Sequence, residues 1–250
     1  MGNNKSFSFD KIAGQYARYR ETHPGVLRSL LINISKDSKV LEIGCGTGNY
    51  IIMINFISGC QSWGIDISRE MLSKAQDRSK SVNFKLSDAT KMDFPDNFFD
   101  LVFSVNVIHH IKDLHGYFKE SYRVLKDGAR ILTATDSEWI LRNRRPLTQY
   151  FPETLDVDLK RYHPIEKIKK VMQDTGFVNI REEMTEYYYY LEDIGAYREK
   201  SFSSLNLISE DAFRRGIKRM EEDLKMGPIP CVSRFTLLWG EKMTYKEELL

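Results

Sequence analysis

Residues 39–136 alternate short runs rich in β-branched and aromatic residues with segments of helical character. The β-rich runs are KVLEIG, SWGIDI, VNFKLSD, FDLVFSVNV and ARILTATD. The helical segments are NYIIMINFIS, SREMLSKAQDRS and DLHGYFKESYRVLK, the last expected to end at Asp127-Gly128. Strands that alternate with helices form parallel pairs through right-handed crossovers. This region therefore predicts an α/β fold built on a mostly parallel sheet.

The pattern changes after residue 138. A helix, PIEKIKKVMQDTG, precedes two strand candidates, VNIREEMTEYYYYL and SRFTLLWGEK, which we expect to pair antiparallel at one edge of the sheet. About forty residues between these strands have an amphipathic helical pattern. The first forty residues predict a helical arm, FDKIAGQYARYRE, followed by GVLRSLLINI.

Composition limits the classes of partner. The chain has 250 residues with 37 Lys and Arg against 35 Asp and Glu, so a net charge of +2 gives no general reason to expect nucleic acid or a membrane. Its three scattered cysteines predict neither a disulfide framework nor a metal site. We expect a cytoplasmic protein, because the N-terminal residues lack the apolar core of a signal peptide. Met1-Gly2 with Ser6 matches the myristoylation pattern, a match that chance also explains.

A glycine-rich turn carries the strongest functional signal. Gly44, Gly46 and Gly48 follow the first strand and lead directly into a helix, which allows a ligand to approach the backbone closely. Asp66 ends the second strand about twenty residues later, where a carboxylate can accept hydrogen bonds from ribose hydroxyls. Asn49 stands where a dinucleotide-binding motif has its third glycine, so the pattern disfavours NAD and FAD.

These motifs resemble a known family. LEIGCGTGNY, GIDIS, LSDATKMDFPDNFFDLVFS, VNVIHHI and YRVLKDGARIL are similar to class I S-adenosylmethionine-dependent methyltransferases, in the type 11 small-molecule branch related to quinone-biosynthesis methyltransferases. The resemblance implies a Rossmann-like, doubly wound, mostly parallel seven-stranded sheet with an antiparallel edge strand and helical insertions that form a cap. It implies one methyltransferase domain over residues 1–250. Within it we expect an N-terminal arm at 1–38, a donor-binding core at 39–138, and acceptor-specificity insertions at 139–165 and 191–230.

The resemblance also implies which residues hold S-adenosylmethionine and its product S-adenosylhomocysteine. Glu42 would meet the ammonium group, Asp66 the ribose and Asp88 the adenine amino group. The backbone of Asn106 would contact the methionyl part. The full expected set is Tyr16, Arg20, Glu42, Gly44, Cys45, Gly46, Gly48, Asp66, Ile67, Asp88, Ala89 and Asn106.

The N-terminal arm resembles the family's corresponding element, in which Tyr16, Tyr19 and Arg20 would close over the donor. An amphipathic helix packed on the sheet explains the same pattern. Short helices are marginal in isolation, so we expect residues 7–20 to become ordered as a lid when the donor binds.

Methyl transfer requires a general base only when the acceptor must lose a proton, because positioning supplies much of the rate. His109 is the candidate base because it follows the fourth strand, although packing against the next helix would explain one histidine of the His109-His110 pair equally well. His163 is a weaker candidate.

The acceptor is expected to be a small molecule, aromatic or anionic, bound by the insertions. Candidate contacts are Trp139, Tyr150, Tyr162, Arg142, Arg144 and Arg145. If residues 187–190 form a strand, two of the four tyrosines face the pocket or core and two face away.

Two other functions fit the sequence. Methylation of RNA or protein could use the arginines at 142–145, although the near-zero net charge and the lack of an RNA-binding motif count against it. A regulatory module that binds the donor without catalysis would keep the same donor-site residues. The sequence leaves open the methylated atom and whether the protein is a monomer or a homodimer.

Overall fold

The computed structural model describes residues 21–244. Seven strands in this range form one sheet in the order β3-β2-β1-β4-β5-β7-β6. Strands β1 to β5 pair in parallel, and β7 pairs antiparallel with both β5 and β6. The strands are β1 Lys39–Ile43, β2 Gln61–Asp66, β3 Asn83–Leu86, β4 Phe99–Val105, β5 Leu125–Thr135, β6 Phe177–Leu191 and β7 Ile229–Lys242. The predicted fold class is confirmed, with the antiparallel strand β7 one position in from the edge.

Helices connect the strands. The α-helices are α1 Pro24–Leu31, α2 Asn49–Ser58, α3 Arg69–Arg78, α4 Leu114–Val124, α5 Glu138–Arg142, α6 Leu147–Tyr150, α7 Glu153–Arg161, α8 Ile165–Asp174, α9 Gly195–Arg198 and α10 Glu210–Leu224. Two short 3-10 helices, η1 Ile108–His110 and η2 Ser203–Asn206, lie in the loops. Among the described residues no helix is long and apolar enough to cross a bilayer.

The helix before β5 ends earlier than the sequence predicts. It stops at Val124, and Asp127 and Gly128 lie inside β5 instead of ending the helix. Leu125 is fully buried and pairs with Phe99 of β4, after which the β4–β5 register shifts. Sheet pairing of a buried leucine therefore overrides the local helical pattern.

The sheet is covered on both faces. Successive residues of β1 point to opposite sides, so Val40 joins one apolar cluster while Leu41 joins the other. A third cluster, which includes Phe151, Tyr197 and Phe213, forms among residues 147–231. This cluster holds together a helical layer beside the ends of β6 and β7.

Helix α1 packs closely against β6 at Gly25. A Cβ atom added to Gly25 would lie 1.8 Å from Thr185 Oγ1 and 3.0 Å from Thr185 Cβ. His23 caps the same helix, accepting a hydrogen bond from the Val26 N–H at 3.3 Å. Only glycine therefore allows α1 to approach β6 this closely.

We expect Gly25→Ala to destabilise the protein by about 1–3 kcal/mol, because the methyl group overpacks the contact with Thr185. Chemical denaturation measures the loss. The double variant Gly25→Ala/Thr185→Ala should recover most of the stability lost, because the Oγ1 atom is then absent. Equal losses in the single and double variants would show that this contact does not limit packing.

Candidate active site

The turn between β1 and α2 is built from left-handed glycines. Gly44, Gly46 and Gly48 have φ angles of 67°, 54° and 80°, a region that side chains rarely tolerate. A Cβ atom on Gly44 would lie 2.5 Å from the Val107 side chain. The N–H of Cys45 donates to the Ile65 carbonyl at 2.9 Å, which extends the β1–β2 pairing into the turn.

Asp66 connects this turn to the next helix. One carboxylate oxygen accepts from the Gly46 N–H at 2.8 Å, and the other accepts from the Ser68 N–H at 2.9 Å. Ser68 in turn caps α3. A carboxylate has about four lone-pair sites, so Asp66 can accept further hydrogen bonds from a ligand while it holds both main-chain groups.

A cavity of about 330 Å³ opens beside Asp66 at the carboxyl ends of β1 to β4, and we call it the donor cavity. Asp88 and Ala89 line one side, and Ile67 lies on the rim with 73% of its surface exposed. Asp88 Oδ1 accepts from the N–H and the hydroxyl of Thr90, both at 2.7 Å. These hydrogen bonds lower the pKa of Asp88, so its carboxylate is ionised at neutral pH.

Glu42 is a buried carboxylate at the end of β1. Its side chain accepts from the Ile51 N–H at 3.0 Å in helix α2. Desolvation raises the pKa of Glu42 well above its usual range, and nearby Asp66 raises it further. A cationic group beside Glu42 would restore its charged form.

Asn106 lies where β4 ends, in the left-handed conformation with φ 57°. Its N–H donates to the Ala134 carbonyl at 2.9 Å and is therefore already used. The backbone contact to the ligand that the sequence predicts would have to come from the Asn106 carbonyl group. Its side-chain Oδ1 is buried and has no hydrogen-bond partner.

A second cavity of about 460 Å³ adjoins the first, and we call it the acceptor cavity. Gly44, Val105 and Asn106 line both cavities and so form their shared wall. Several aromatic rings line the larger one: Tyr50, Tyr162, Tyr187, Tyr189, Tyr197 and Phe202. Tyr188 and Tyr190 face away and are exposed, so the tyrosine run alternates as predicted.

The family model described as "Methyltransferase domain" matches residues 41–133, which contain the glycine turn, Asp66, Asp88 and Asn106. The chain carries a class I methyltransferase domain. Phosphoethanolamine N-methyltransferase 1 of Arabidopsis thaliana is 30% identical over 153 residues, which is 60% of this chain and 30% of the relative. A probable chloroplastic tocopherol O-methyltransferase of Oryza sativa subsp. japonica is 31% identical over 166 residues, 64% of this chain and 43% of the relative. The chain thus spans less than half the length of these curated relatives.

A solved structure shares the fold. Haemonchus contortus phosphoethanolamine N-methyltransferase 2, in complex with S-adenosyl-L-methionine, aligns with a TM-score of 0.62 at 22% identity. The alignment covers 94% of this chain and 57% of that one. The methyltransferase domain therefore has the same architecture as that protein.

The three arginines of the basic cluster at residues 142–145 separate in space. Arg142 is exposed and pairs with Glu138, outside both cavities. Arg144 and Arg145 line the acceptor cavity. Of the three aromatic candidates, Tyr162 lines this cavity, whereas neither Trp139 nor Tyr150 contributes to its lining.

His109 lies behind the acceptor cavity. Its ring stacks on Tyr162 with centroids 4.0 Å apart, and neither cavity has His109 in its lining. Desolvation lowers the pKa of His109 well below its usual range, and neighbouring His110, Arg161 and Arg144 lower it further. His110 lines the donor cavity, while the His163 ring contacts the Ile111 carbonyl at 2.9 Å. Tyr162 thus separates the candidate base from the acceptor cavity.

Sequence reasoning missed several residues of the acceptor cavity. His23 is 5% exposed, its N–H donates to the Tyr50 hydroxyl at 2.8 Å, and its Nε2 contacts the Ser233 carbonyl at 3.2 Å. The His-Pro pair before a helix is a signal for such a cap. Asp136 and Asp158 also line the cavity, and no motif marks them. The expected lid residues Tyr16, Tyr19 and Arg20 lie outside the described residues.

Among residues 21–244 no group of three or more His, Cys, Asp or Glu residues could hold a metal ion. Cys45 is buried, and burial raises its pKa well above the usual range. Its sulfur lies where a side chain on Gly64 would sit, 2.8 Å from the added Cβ atom. Cys45 therefore serves as a small packing residue within the glycine turn.

We expect the His109 imidazole to remain neutral at pH 6.5, because burial disfavours its cation. Replacing Tyr162 with Ala should admit water and raise the pKa of His109 toward 6.5. Nuclear magnetic resonance titration of the imidazole protons measures both values, and His109→Gln assigns the signal. If His109 has the same pKa in the wild type and in Tyr162→Ala, burial of its ring under Tyr162 is not what lowers that pKa.

Proposed function

We propose that this chain is an S-adenosylmethionine-dependent methyltransferase that transfers a methyl group to a small-molecule acceptor. The observation that carries the proposal is the shared wall of Gly44, Val105 and Asn106 between two cavities. One cavity has the carboxylates that suit a nucleoside, and the other has several aromatic side chains in its lining and is of small-molecule size. A methyl group at the shared wall would be accessible from both cavities.

The residues of the donor cavity suit S-adenosylmethionine chemically. Asp66 would accept from the ribose hydroxyls and Asp88 from the adenine amino group, with Ile67 and Ala89 against the adenine ring. The methionyl part would extend past Gly44 of the glycine turn toward Glu42, which lines the larger cavity on the other side of the shared wall. The ionised state of Asp88 strengthens its hydrogen bond to a donor group.

When bound, the donor supplies an electrophilic methyl group on a positively charged sulfur. The protein's task is to orient the acceptor atom toward that methyl group and to exclude water. Tyrosine side chains would form part of the walls of the acceptor cavity. Residues 7–20, which lie outside the described residues, would close over the donor as a lid. For an acceptor that must lose a proton we propose His109 as the base, reached only if Tyr162 moves aside.

Turnover tests the function. The chain is incubated with S-adenosylmethionine carrying a labelled methyl group and with a small-metabolite extract, and labelled products are identified by mass spectrometry. The proposal predicts a labelled small molecule and a stoichiometric amount of S-adenosylhomocysteine. Donor binding without any labelled product would favour the regulatory module, and labelled RNA or protein would favour a macromolecular acceptor.

The Asp66→Ala variant should bind S-adenosylhomocysteine about ten- to a hundredfold more weakly, because it loses the ribose hydrogen bonds and the support of the Gly46 N–H. Calorimetry measures the dissociation constant. Asp100→Ala is the matched control, because Asp100 also accepts a strand N–H, from Lys39 at 2.8 Å, but does not line the donor cavity. A folded Asp66→Ala protein with unchanged affinity would place the ribose elsewhere.

Binding of S-adenosylhomocysteine should release protons through Glu42. The free protein holds Glu42 with a raised pKa, so the carboxyl is protonated over part of the range above pH 4.5. An ammonium group beside it favours the ionised form, so binding should tighten as pH rises through the pKa of the free protein.

Calorimetry in two buffers of different ionisation enthalpy counts the released protons. In Glu42→Gln the release should disappear and the affinity should fall. Proton release of the same size in Glu42→Gln and the wild type would assign it to another group.

A further inference from the structure

Asp66 is one end of a chain of hydrogen bonds that runs through the glycine turn. Its carboxylate accepts from the Gly46 N–H at 2.8 Å. The peptide group that supplies this N–H has the Cys45 carbonyl on its other side, and that carbonyl accepts from the Gly48 N–H at 2.8 Å. The hydrogen bonds therefore continue from the carboxylate through one peptide group of the turn to the next.

Arg78 is the other end of this chain. The peptide group that supplies the Gly48 N–H has the Thr47 carbonyl, which accepts from Arg78 Nη1 at 2.7 Å. Two peptide groups of the turn thus join the Arg78 guanidinium to the Asp66 carboxylate. We call this series of three hydrogen bonds the Arg78–Asp66 chain.

The charges at the two ends of the Arg78–Asp66 chain have favourable signs. The cation lies at a carbonyl oxygen, which is the negative end of a peptide dipole, and the anion lies at an N–H, which is the positive end. Both charges therefore polarise the two peptide groups in the same direction. Hydrogen bonds in such a series strengthen one another. Arg78 should thus strengthen the bond between Gly46 and Asp66, although it touches neither residue.

Arg78 also holds the start of helix α2. Its Nη1 contacts the Asn49 Oδ1 and, at 3.3 Å, the Thr47 hydroxyl. Thr47 is fully buried, and Asn49 is the first residue of α2. A glycine at position 49, as in a dinucleotide-binding motif, would offer no side chain to Arg78. The asparagine at this position therefore connects the turn to helix α3.

Helix α3 supports the turn from both of its ends. Ser68 caps the N-terminus of α3, and its N–H binds Asp66 at 2.9 Å. Arg78 is the last residue of the same helix. Ten residues of α-helix extend over about 15 Å. One rigid element thus fixes both charged ends of the Arg78–Asp66 chain.

This support matters for a ligand because glycines make the turn intrinsically mobile. Glycine loses more conformational freedom on ordering than any other residue, and ordering that accompanies binding weakens affinity. Contacts that fix the turn in the free protein reduce that cost. In the described part of the chain neither cavity has Arg78 in its lining, so Arg78 can affect a ligand there only through the residues that it holds.

We propose that Arg78 is a positioning residue for donor binding, which acts on Asp66 through the two peptide groups of the glycine turn. The proposal rests on the proposed function, because it concerns the same donor cavity. It assigns a role to a residue that lies outside the glycine motif and outside both cavities.

Affinity for S-adenosylhomocysteine, measured by calorimetry, tests this role. Arg78→Ala should bind it about three- to tenfold more weakly, because the turn loses its charge-assisted hydrogen bonds. Arg78→Lys keeps the charge and one donor, so its affinity should fall between those of Arg78→Ala and the wild type. Lys80→Ala is the matched control and should bind as the wild type does. Lys80 is a cation at the same end of α3, but its Nζ donates to the Gln76 carbonyl at 2.6 Å.

A second substitution tests whether Arg78 acts through Asp66. Asp66→Ala removes the anionic end of the chain, so adding Arg78→Ala to it should weaken binding by less than about twofold more. Nuclear magnetic resonance titration measures affinities in this weaker range. The same fold loss from Arg78→Ala in both backgrounds would show that Arg78 does not act through Asp66.

Amide exchange in the free protein separates positioning from a general loss of stability. In Arg78→Ala the Gly46 and Gly48 amides should exchange faster than in the wild type, while the amides of β1 keep their wild-type rates. Saturation with S-adenosylhomocysteine should restore slow exchange in the turn. Faster exchange throughout the sheet would show that Arg78 only stabilises the fold, and would overturn the positioning role.

Wild-type affinity in Arg78→Ala would also overturn the proposal, and it would leave the proposed function intact. Failure of the wild type itself to bind S-adenosylhomocysteine would reject both.

Discussion

The hydrogen bond from the Gly46 N–H to Asp66 is the contact on which the site depends. It joins the turn after β1 to the end of β2, and the second oxygen of Asp66 joins that turn to the start of α3 through Ser68. The left-handed glycines make the turn possible, and the carboxylate holds it in place. The shape of the donor cavity follows from this pairing, because its floor is the turn and its side is Asp66 itself.

The acceptor cavity has a different origin. It forms where strands β6 and β7 and the helical layer meet the carboxyl ends of β4 and β5. Arg144 connects these parts through Asp136, which follows β5, and Asp158 in α7. Removing one member of such a buried ion-pair group leaves an uncompensated charge. The same arginine therefore supports the cavity wall.

Local patterns predicted the half of the fold that has regular βαβ periodicity. They also placed Gly44, Asp66 and Asp88 near the ends of strands, where the structure has them beside one cavity. They misplaced the end of α4, where pairing of the buried Leu125 with Phe99 outweighs helical propensity. They also could not find Asp136, Asp158 or His23 in the acceptor cavity, since tertiary packing brings these residues together from distant segments. His109 was correctly placed after β4, but only the structure shows Tyr162 stacked over its ring.

The central claim is that the cavity beside Asp66 is a site for S-adenosylmethionine, and direct binding tests it. Calorimetry with S-adenosylmethionine, S-adenosylhomocysteine and NAD, under identical conditions, compares the candidate ligands of a glycine turn of this kind. Our account predicts saturable heat with a micromolar dissociation constant for the first two and none for NAD. Binding of NAD in place of the sulfur compounds would contradict it.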